Sequence, residues 1–387
     1  DSYFNRNSGH PSDTFAGVLA LGDALHADGK SVILAAVLAY EGFCNFSDVL
    51  PREQGWDYVL FGVVGGALSA AKLLKLDAAR TGQAVALAVT PNLALEQTRM
   101  GELSHWKGCA AANAARNGVF AAILAEAGLT GPDDAIVGKA GLQHAVGAFE
   151  WAPFGGRGGP FRVCETHLKY FPAVVHSQSP IAAALQLHGK VRPEDIETIA
   201  VDSYWVANRY TSRASPLWQP GTRETADHSL PYNVAVALTD GTITLRSFND
   251  AHLNDARVRA LMQKIAVSED AAFTEANLRP PVEHRARITL VMKSGEQRVV
   301  ESGGDADDLS WPKSDRQIED KFRSFAQDAL GTRRVDGVLL QDNFSAFELQ
   351  AFTGPAGINA VAATAMMALC PMLSSPSEAS VLTAAAS

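Results

Sequence analysis

The stretch at residues 97–128, QTRMGELSHWKGCAAANAARNGVFAAILAEAG, decides how the chain folds. It is rich in Ala and Leu, holds no Pro, and stops at Gly128 with Pro132 close behind, so it predicts a long buried helix. Gly108, Ala111, Ala114, Ala115 and Gly118 form a small-residue face that lets another helix approach closely. Lys107 stands where the run turns hydrophobic. A buried ammonium is costly unless it meets an anion, which leaves two readings. Lys107 is a carboxylate-binding group, or it is a lysine at a helix start whose charge reaches solvent along its own stem.

Working upstream, residues 1–13 are polar and read as a loop entering a helix, with Ser12 or Asp13 near its cap. Residues 15–25 and 31–50 read as helices with a break at Gly29, and Val32, Ile33, Ala36, Val37 and Tyr40 fit one face. Helices are also predicted within 55–76 and 81–95, making the front of the chain a packed bundle. The run GGRGG at 155–159 lacks the Lys-Ser/Thr and the flanking strand of a phosphate loop, and predicts a flexible linker with a domain boundary after residue 153.

Downstream the patterns mix. Residues 179–187 read as a helix, 196–205 as a half-buried strand, 227–238 as a helix, 242–245 as a short strand and 258–265 as a helix. Residues 286–292 and 297–301 bracket Ser294-Gly295 as a hairpin. The fold class is therefore mainly α, an all-helical bundle domain plus a smaller α+β domain (154–314) with an antiparallel sheet. Residues 317–330 return to helical periodicity, with Ile318, Phe322, Phe325 and Leu330 on one face. Residues 342–387 are Ala/Ser/Pro-rich with few charges and read as a divergent or low-order tail.

Composition narrows the function classes. Among 387 residues, 47% are apolar and 19% charged, as in an ordinary globular protein of two domains. The net charge of −9 is spread along the chain, arguing against a nucleic-acid surface and giving no support to an anionic membrane. No clean span of 18 or more apolar residues is read, so no transmembrane helix is predicted. Cys44, Cys109, Cys164 and Cys370 are scattered without a CxxC pair, which suggests reduced thiols in a cytoplasmic protein and no metal or cluster site.

Two strings carry a resemblance: RMGELSHWKGCAAANAARNG at 99–118 and RETADHSLPY at 223–232. Both resemble the MmgE/PrpD family, which includes 2-methylcitrate dehydratase, cis-aconitate decarboxylase and related epimerases, and the likeness runs to about residue 340. The resemblance implies that 315–341 returns to the helical domain (residues 1–153), so that this domain is discontinuous. It also implies a homodimer through the helical domain, with the α+β domain closing over the site. Typical members begin well before Asp1, which implies a missing N-terminal helical portion. A histidine of characterised members near the start of the 55–76 element is replaced here by the local residues Trp56, Asp57 and Tyr58.

The candidate site follows. His10, on an exposed loop by its own spacing, lies in an HPS motif that the resemblance places in the active site as an acid–base group. Lys169, in LKYFP, matches a position where carboxylates are met, and His176 stands near a family histidine at altered spacing. His228 lies in the second string with Tyr232 one turn on; a capping-region histidine and a core tyrosine are the plainer readings. Ser229 and Arg223 of the same string join Lys169 and His176 as substrate-binding candidates, while His10, Lys107, His228 and Tyr232 are the catalytic ones. Removing a proton next to a carboxylate builds charge that fixed lysines and hydroxyls can stabilise, while a histidine moves the proton. The expected protein is a cofactor-independent lyase for a small di- or tricarboxylate, most simply a hydroxy-acid dehydratase. A decarboxylase, an epimerase or a non-catalytic dimerising member are the alternatives.

Overall fold

The computed structural model describes residues 1–51, 55–156, 159–279, 282–304 and 313–339. The tail expected at 342–387, and Arg157 and Gly158 of the glycine-rich run, lie outside the described residues. The chain divides into two compact units. One comprises Asp1–Met100, Trp106–Thr166 and the described residues from Asp315; the other comprises Gly101–His105 and His167–Ser314.

The first unit opens with a two-stranded ribbon, β1 (Tyr3–Phe4) and β2 (Ser8–Gly9), paired antiparallel. Five long helices follow: α1 (Phe15–Ala24), α2 (Gly29–Val49), α3 (Val59–Leu73), α4 (Ala78–Val89) and α5 (His105–Glu126), then the short α6 (Leu142–Val146). Gly29, expected as a break, is the first residue of α2, because the Asp28 carboxylate accepts the Ser31 N–H at 2.9 Å and caps it. Asp77 caps α4 in the same way. By length and composition α2 could cross a membrane, which the sequence reading missed. Most of it is buried inside this unit, as befits the central helix of a bundle.

Helix α5 starts eight residues later than the run that announced it. Residues 96–99 form a 3-10 turn and Gly101 takes φ +69°, so the chain turns before His105. Its buried face is Ala110, Ala114, Ala115, Gly118, Ala121, Ala122 and Ala125, whereas Gly108 is exposed and Ala111 half-buried. The close approach is at Gly118, where an added Cβ would lie 2.4 Å from the Val63 carbonyl of α3. The helix is not buried all round: Trp106 and Phe120 are 52% and 57% exposed.

The expected linker is held at both ends. The buried Glu41 carboxylate of α2 accepts the N–H of Gly155 and that of Arg162, each at 2.7 Å, and Arg162 pairs with Asp48 at 2.9 Å. These bonds keep residues up to Thr166 in the helical unit, so the division falls after residue 166 and not after 153.

The second unit contains α7 (Gln178–Leu187), β3 (Ile196–Ser203), α8 (Arg223–Ala226), α9 (Leu230–Asp240), α10 (Asp250–Leu253), α11 (Ala256–Lys264), β4 (Ile265–Glu269), α12 (Ala271–Asn277), β5 (Ala286–Met292) and β6 (Gln297–Ser302). The sheet order is β4-β3-β5-β6. The hairpin β5–β6 forms as predicted, and β3 pairs antiparallel with β5, but β4 pairs parallel with β3, so the sheet is mixed and not antiparallel throughout. Ile199, Val201, Ile288 and Leu290 of the sheet share one core with Ile181, Leu187, Val234 and Leu238 of α7 and α9. The strand expected at 242–245 is absent. Thr244 instead caps a 3-10 turn at Leu245–Phe248, with Ser247 Oγ accepting the Thr244 N–H.

The chain then returns to the first unit as α13 (Asp315–Leu330) and α14 (Thr332–Leu339), where Ile318, Phe322, Ala326 and Val335 are buried. Phe322, Ala326 and Val335 share a core with Phe15, Leu19, Ala36 and Ala122. Two glycine substitutions separate packing from propensity. Gly118→Ala forces α3 and α5 apart and should lower stability by about 1–3 kcal/mol. Gly82→Ala, on the open side of α4 with nothing within 4 Å of the added carbon, should raise it by about 0.5–1 kcal/mol. Urea denaturation of both variants checks the pair.

Candidate active site

In the helical unit the local chain is built to hold His10. Tyr3 Oη donates to Asp48 at 2.8 Å, and Asn7 Nδ2 donates to the Leu50 carbonyl at 2.8 Å, fixing the ribbon to the end of α2. Gly9 passes so close to Phe43 and Tyr58 that a Cβ would stand 2.7 Å from the Phe43 ring. The Asp1 carboxylate accepts the Ser12 N–H at 3.1 Å and the Tyr40 hydroxyl at 2.8 Å. His10 Nδ1 then lies 2.8 Å from the Asp1 carbonyl, with Ser2 Oγ at 3.2 Å. A carbonyl can only accept, so Nδ1 carries the proton and Nε2 is the basic nitrogen of the neutral ring.

Tyr58 packs edge-on against His10, with ring centroids 5.5 Å apart. Burial pushes its phenol well above the ordinary value, with nearby Asp13 adding to the effect, so it stays protonated. Arg99 lies over the far face of this chain of contacts, its guanidinium 4.2 Å from the Tyr58 ring and its Nε 2.9 Å from the wholly buried Asp57 carboxylate. Asp57 and Tyr58, noted in the sequence only as a departure from the family pattern, thus support the His10 ring. Lys107 is half-buried on the first turn of α5, outside the buried face expected around it.

The second unit gathers a different set. The strings at 99–118 and 223–232 meet here. Thr225 Oγ1 donates to Glu102 at 3.1 Å and accepts the Leu103 N–H at 3.2 Å, while Thr222 donates to the Leu103 carbonyl at 3.0 Å. The Asp227 carbonyl accepts the Val174 N–H at 2.9 Å, fixing the 3-10 turn Val175–Ser177 that carries His176. Gln178 clamps the loop after Lys169: its Oε1 accepts the N–H of Tyr170 and of Phe171, both at 2.9 Å. His228 Nδ1 faces the Glu224 carbonyl at 3.0 Å and the Asp227 carboxylate, both acceptors, so Nε2 is again the basic nitrogen.

His176 is the centre of this set. Its Nδ1 is 2.5 Å from Tyr204 Oη, and its ring lies edge-on to Trp205 at 5.6 Å. Tyr204 in turn meets His284 at 5.9 Å, which meets His167 at 5.9 Å, and Arg209 lies 5.6 Å from the Trp205 ring. Enclosure of the ring holds His176 well below the ordinary imidazole value, and the fields of Arg209, His284, His228 and Lys169 act in the same direction. The second unit thus brings cations and imidazoles into one electrostatic neighbourhood. Tyr204, Arg209 and His284 were not found from sequence; the signal available was the SYW turn directly after a strand.

Two predicted site residues are engaged in the core, and a third is exposed. The Tyr232 hydroxyl donates to the Ser247 carbonyl at 2.6 Å inside the core, and α9 begins at Leu230, so His228 does not share its helix face. Ser229 is fully buried, caps α9 through the Tyr232 N–H and donates to the Leu217 carbonyl at 2.5 Å. Arg223 is exposed at the start of α8.

A helical unit holding a tautomer-fixed histidine and a sheet-containing unit holding a cation–imidazole cluster define a two-unit, mainly helical protein. The chain belongs to the MmgE/PrpD family: the MmgE/PrpD N-terminal domain matches residues 1–151 and the MmgE/PrpD C-terminal domain residues 171–342. It is 30% identical over 337 residues to 2-methylcitrate dehydratase of Escherichia coli K12, covering 78% of this chain and 66% of that protein. For 2-methylcitrate dehydratase of Salmonella typhimurium the figures are 29% over 305 residues, 71% and 60%. Human cis-aconitate decarboxylase is 27% identical over 356 residues, covering 85% of this chain and 70% of that protein. The chain thus spans just under two thirds of the length of the two bacterial relatives.

The electrostatics of His176 predict a pH dependence with a definite sign. An unfolded imidazole takes up a proton near pH 6.5, which the folded ring refuses until lower pH, so acid favours the unfolded chain. Stability should fall as pH drops below about 6.5, by at most about 1.4 kcal/mol per pH unit from this group. Chemical denaturation at pH 7.5, 6.5 and 5.5 should show a smaller loss for His176→Gln than for the wild type.

Proposed function

We propose that this protein is a lyase for a small di- or tricarboxylate, and that it dehydrates a 2-methylcitrate-like hydroxy acid. The observation that carries the reading is His10 held through Nδ1 with a basic Nε2. That nitrogen takes the proton from the carbon next to a carboxylate; the C–H pair becomes the new C=C bond and the C–O bond breaks. The departing oxygen leaves as water once an imidazole N–H or a phenol returns a proton. Lys107, in the same unit as His10, is a fixed positive charge for the developing enediolate, and Lys169 and Arg209 are the candidates of the second unit for binding carboxylate oxygens. The names of the relatives and the two matched domains support the same reading.

The 85% of the chain matched by human cis-aconitate decarboxylase supports a second reading, decarboxylation, in which the same cations hold the remaining carboxylates. Proton NMR of the protein incubated with 2-methylcitrate and with cis-aconitate separates the two. Loss of water to an unsaturated tricarboxylate is expected; release of carbon dioxide from cis-aconitate alone would favour the second reading, and turnover of neither would remove both. Lys169→Ala and Arg209→Ala should each raise KM by about tenfold or more, as expected for lost charge-assisted hydrogen bonds.

The same reading includes a homodimer, supported by the exposed Trp106, Phe120 and Ile123 on α5. Sedimentation velocity should give a dimer for the wild type and a slower species for Phe120→Glu; a monomeric wild type would remove this part.

A further inference from the structure

Tyr204 follows the last residue of β3 and opens the 3-10 turn Trp205–Tyr210, so its position is set by the sheet. It is 1% exposed, and its ring is enclosed edge-on by His176, Trp205 and His284. Its hydroxyl oxygen lies 2.5 Å from Nδ1 of His176, short enough that one hydrogen must sit between them. A phenol O–H is a stronger donor than a neutral imidazole N–H, and the bare imidazole nitrogen is a stronger acceptor than a phenol oxygen. The favoured arrangement therefore has the tyrosine donating.

We propose that Tyr204 is a positioning residue that donates to Nδ1 of His176 and locks this ring in the Nε2–H tautomer, so that it meets a substrate carboxylate as a neutral hydrogen-bond donor. This is the reverse of His10, whose Nδ1 donates to a carbonyl and whose Nε2 is basic. The surroundings agree with a neutral ring. Arg209 and Lys169 already bring positive charge, and a further cation beside them is disfavoured. A neutral N–H adds a directed hydrogen bond where an added charge would be repelled by its neighbours. The role as a substrate contact rests on the carboxylate-lyase reading; the tautomer itself does not.

The test uses the full chain labelled with nitrogen-15 in histidine only, with the His176 signals assigned by their loss in His176→Gln. In ligand-free wild type near pH 7.5, long-range proton–nitrogen correlation should show Nε2 protonated and Nδ1 bare. In Tyr204→Phe the two tautomers should mix. A wild-type ring protonated at Nδ1, or a tautomer unchanged in Tyr204→Phe, overturns the proposal. Affinity then separates positioning from bulk structure: calorimetric titration with citrate should be weaker by about tenfold in Tyr204→Phe. His176→Gln, whose amide can donate near the Nε2 position, should bind citrate more tightly than His176→Asn. The correct tautomer in a protein with no affinity for citrate or 2-methylcitrate would sink the lyase reading and leave the tautomer assignment standing.

Discussion

The hydrogen bond from His10 Nδ1 to the Asp1 carbonyl is the contact on which the chemistry proposed for the helical unit depends. It converts a surface-loop histidine into a group with one defined basic nitrogen. Much of the local sequence serves that end. Gly9 admits the chain between Phe43 and Tyr58, Tyr40 and Ser12 fix the Asp1 carboxylate, and the Asp57–Arg99 pair braces Tyr58 behind the ring. An Ala at position 9 would drive a carbon into Phe43, and the imidazole would have to move with it.

An acidic chain that is to handle anions, as proposed for this one, must concentrate positive charge locally. Here the second unit does so while avoiding an excess of it: Lys169 and Arg209 are permanent charges, whereas His176 is held neutral by burial and by those same neighbours. Paired opposites of tautomer follow from the partner each Nδ1 is given. A backbone carbonyl leaves one ring with a basic Nε2, and in the proposed arrangement a phenol leaves the other with an Nε2 donor. Imidazoles in one chain can thus take different hydrogen-bonding roles without any change of residue type.

How much of this was legible in the sequence depends on range. The long helices were readable because Ala/Leu/Val runs and Asp caps are local signals, and the β5–β6 hairpin because Ser294-Gly295 marks its turn. Strand β4 went unread except for Ile265, which was taken as a helix end: its five residues follow α11 without a break, and only its parallel partner β3 identifies it. Residues 101–104 were taken into α5 because nothing local announces that Glu102 and Leu103 bond to Thr222 and Thr225. For the site, His10, Lys169, His176 and His228 came from motif resemblance, while Tyr204, Arg209 and His284 depend on contacts across the unit. Tyr232 and Ser229 shared a string with His228 but pack into the core, since a motif preserves scaffolding residues as readily as reactive ones.

The central assignment is that Nε2 of His10 moves the proton next to a substrate carboxylate. The most direct measurement is hydrogen exchange at that carbon, followed by proton NMR with 2-methylcitrate in deuterium oxide, for the wild type and for His10→Gln. The wild type should exchange or eliminate that hydrogen, and the variant should be slower by about a hundredfold or more, the usual worth of a positioned acid–base group. An equal rate in the two proteins would contradict the assignment, because the proton would then be leaving by another route.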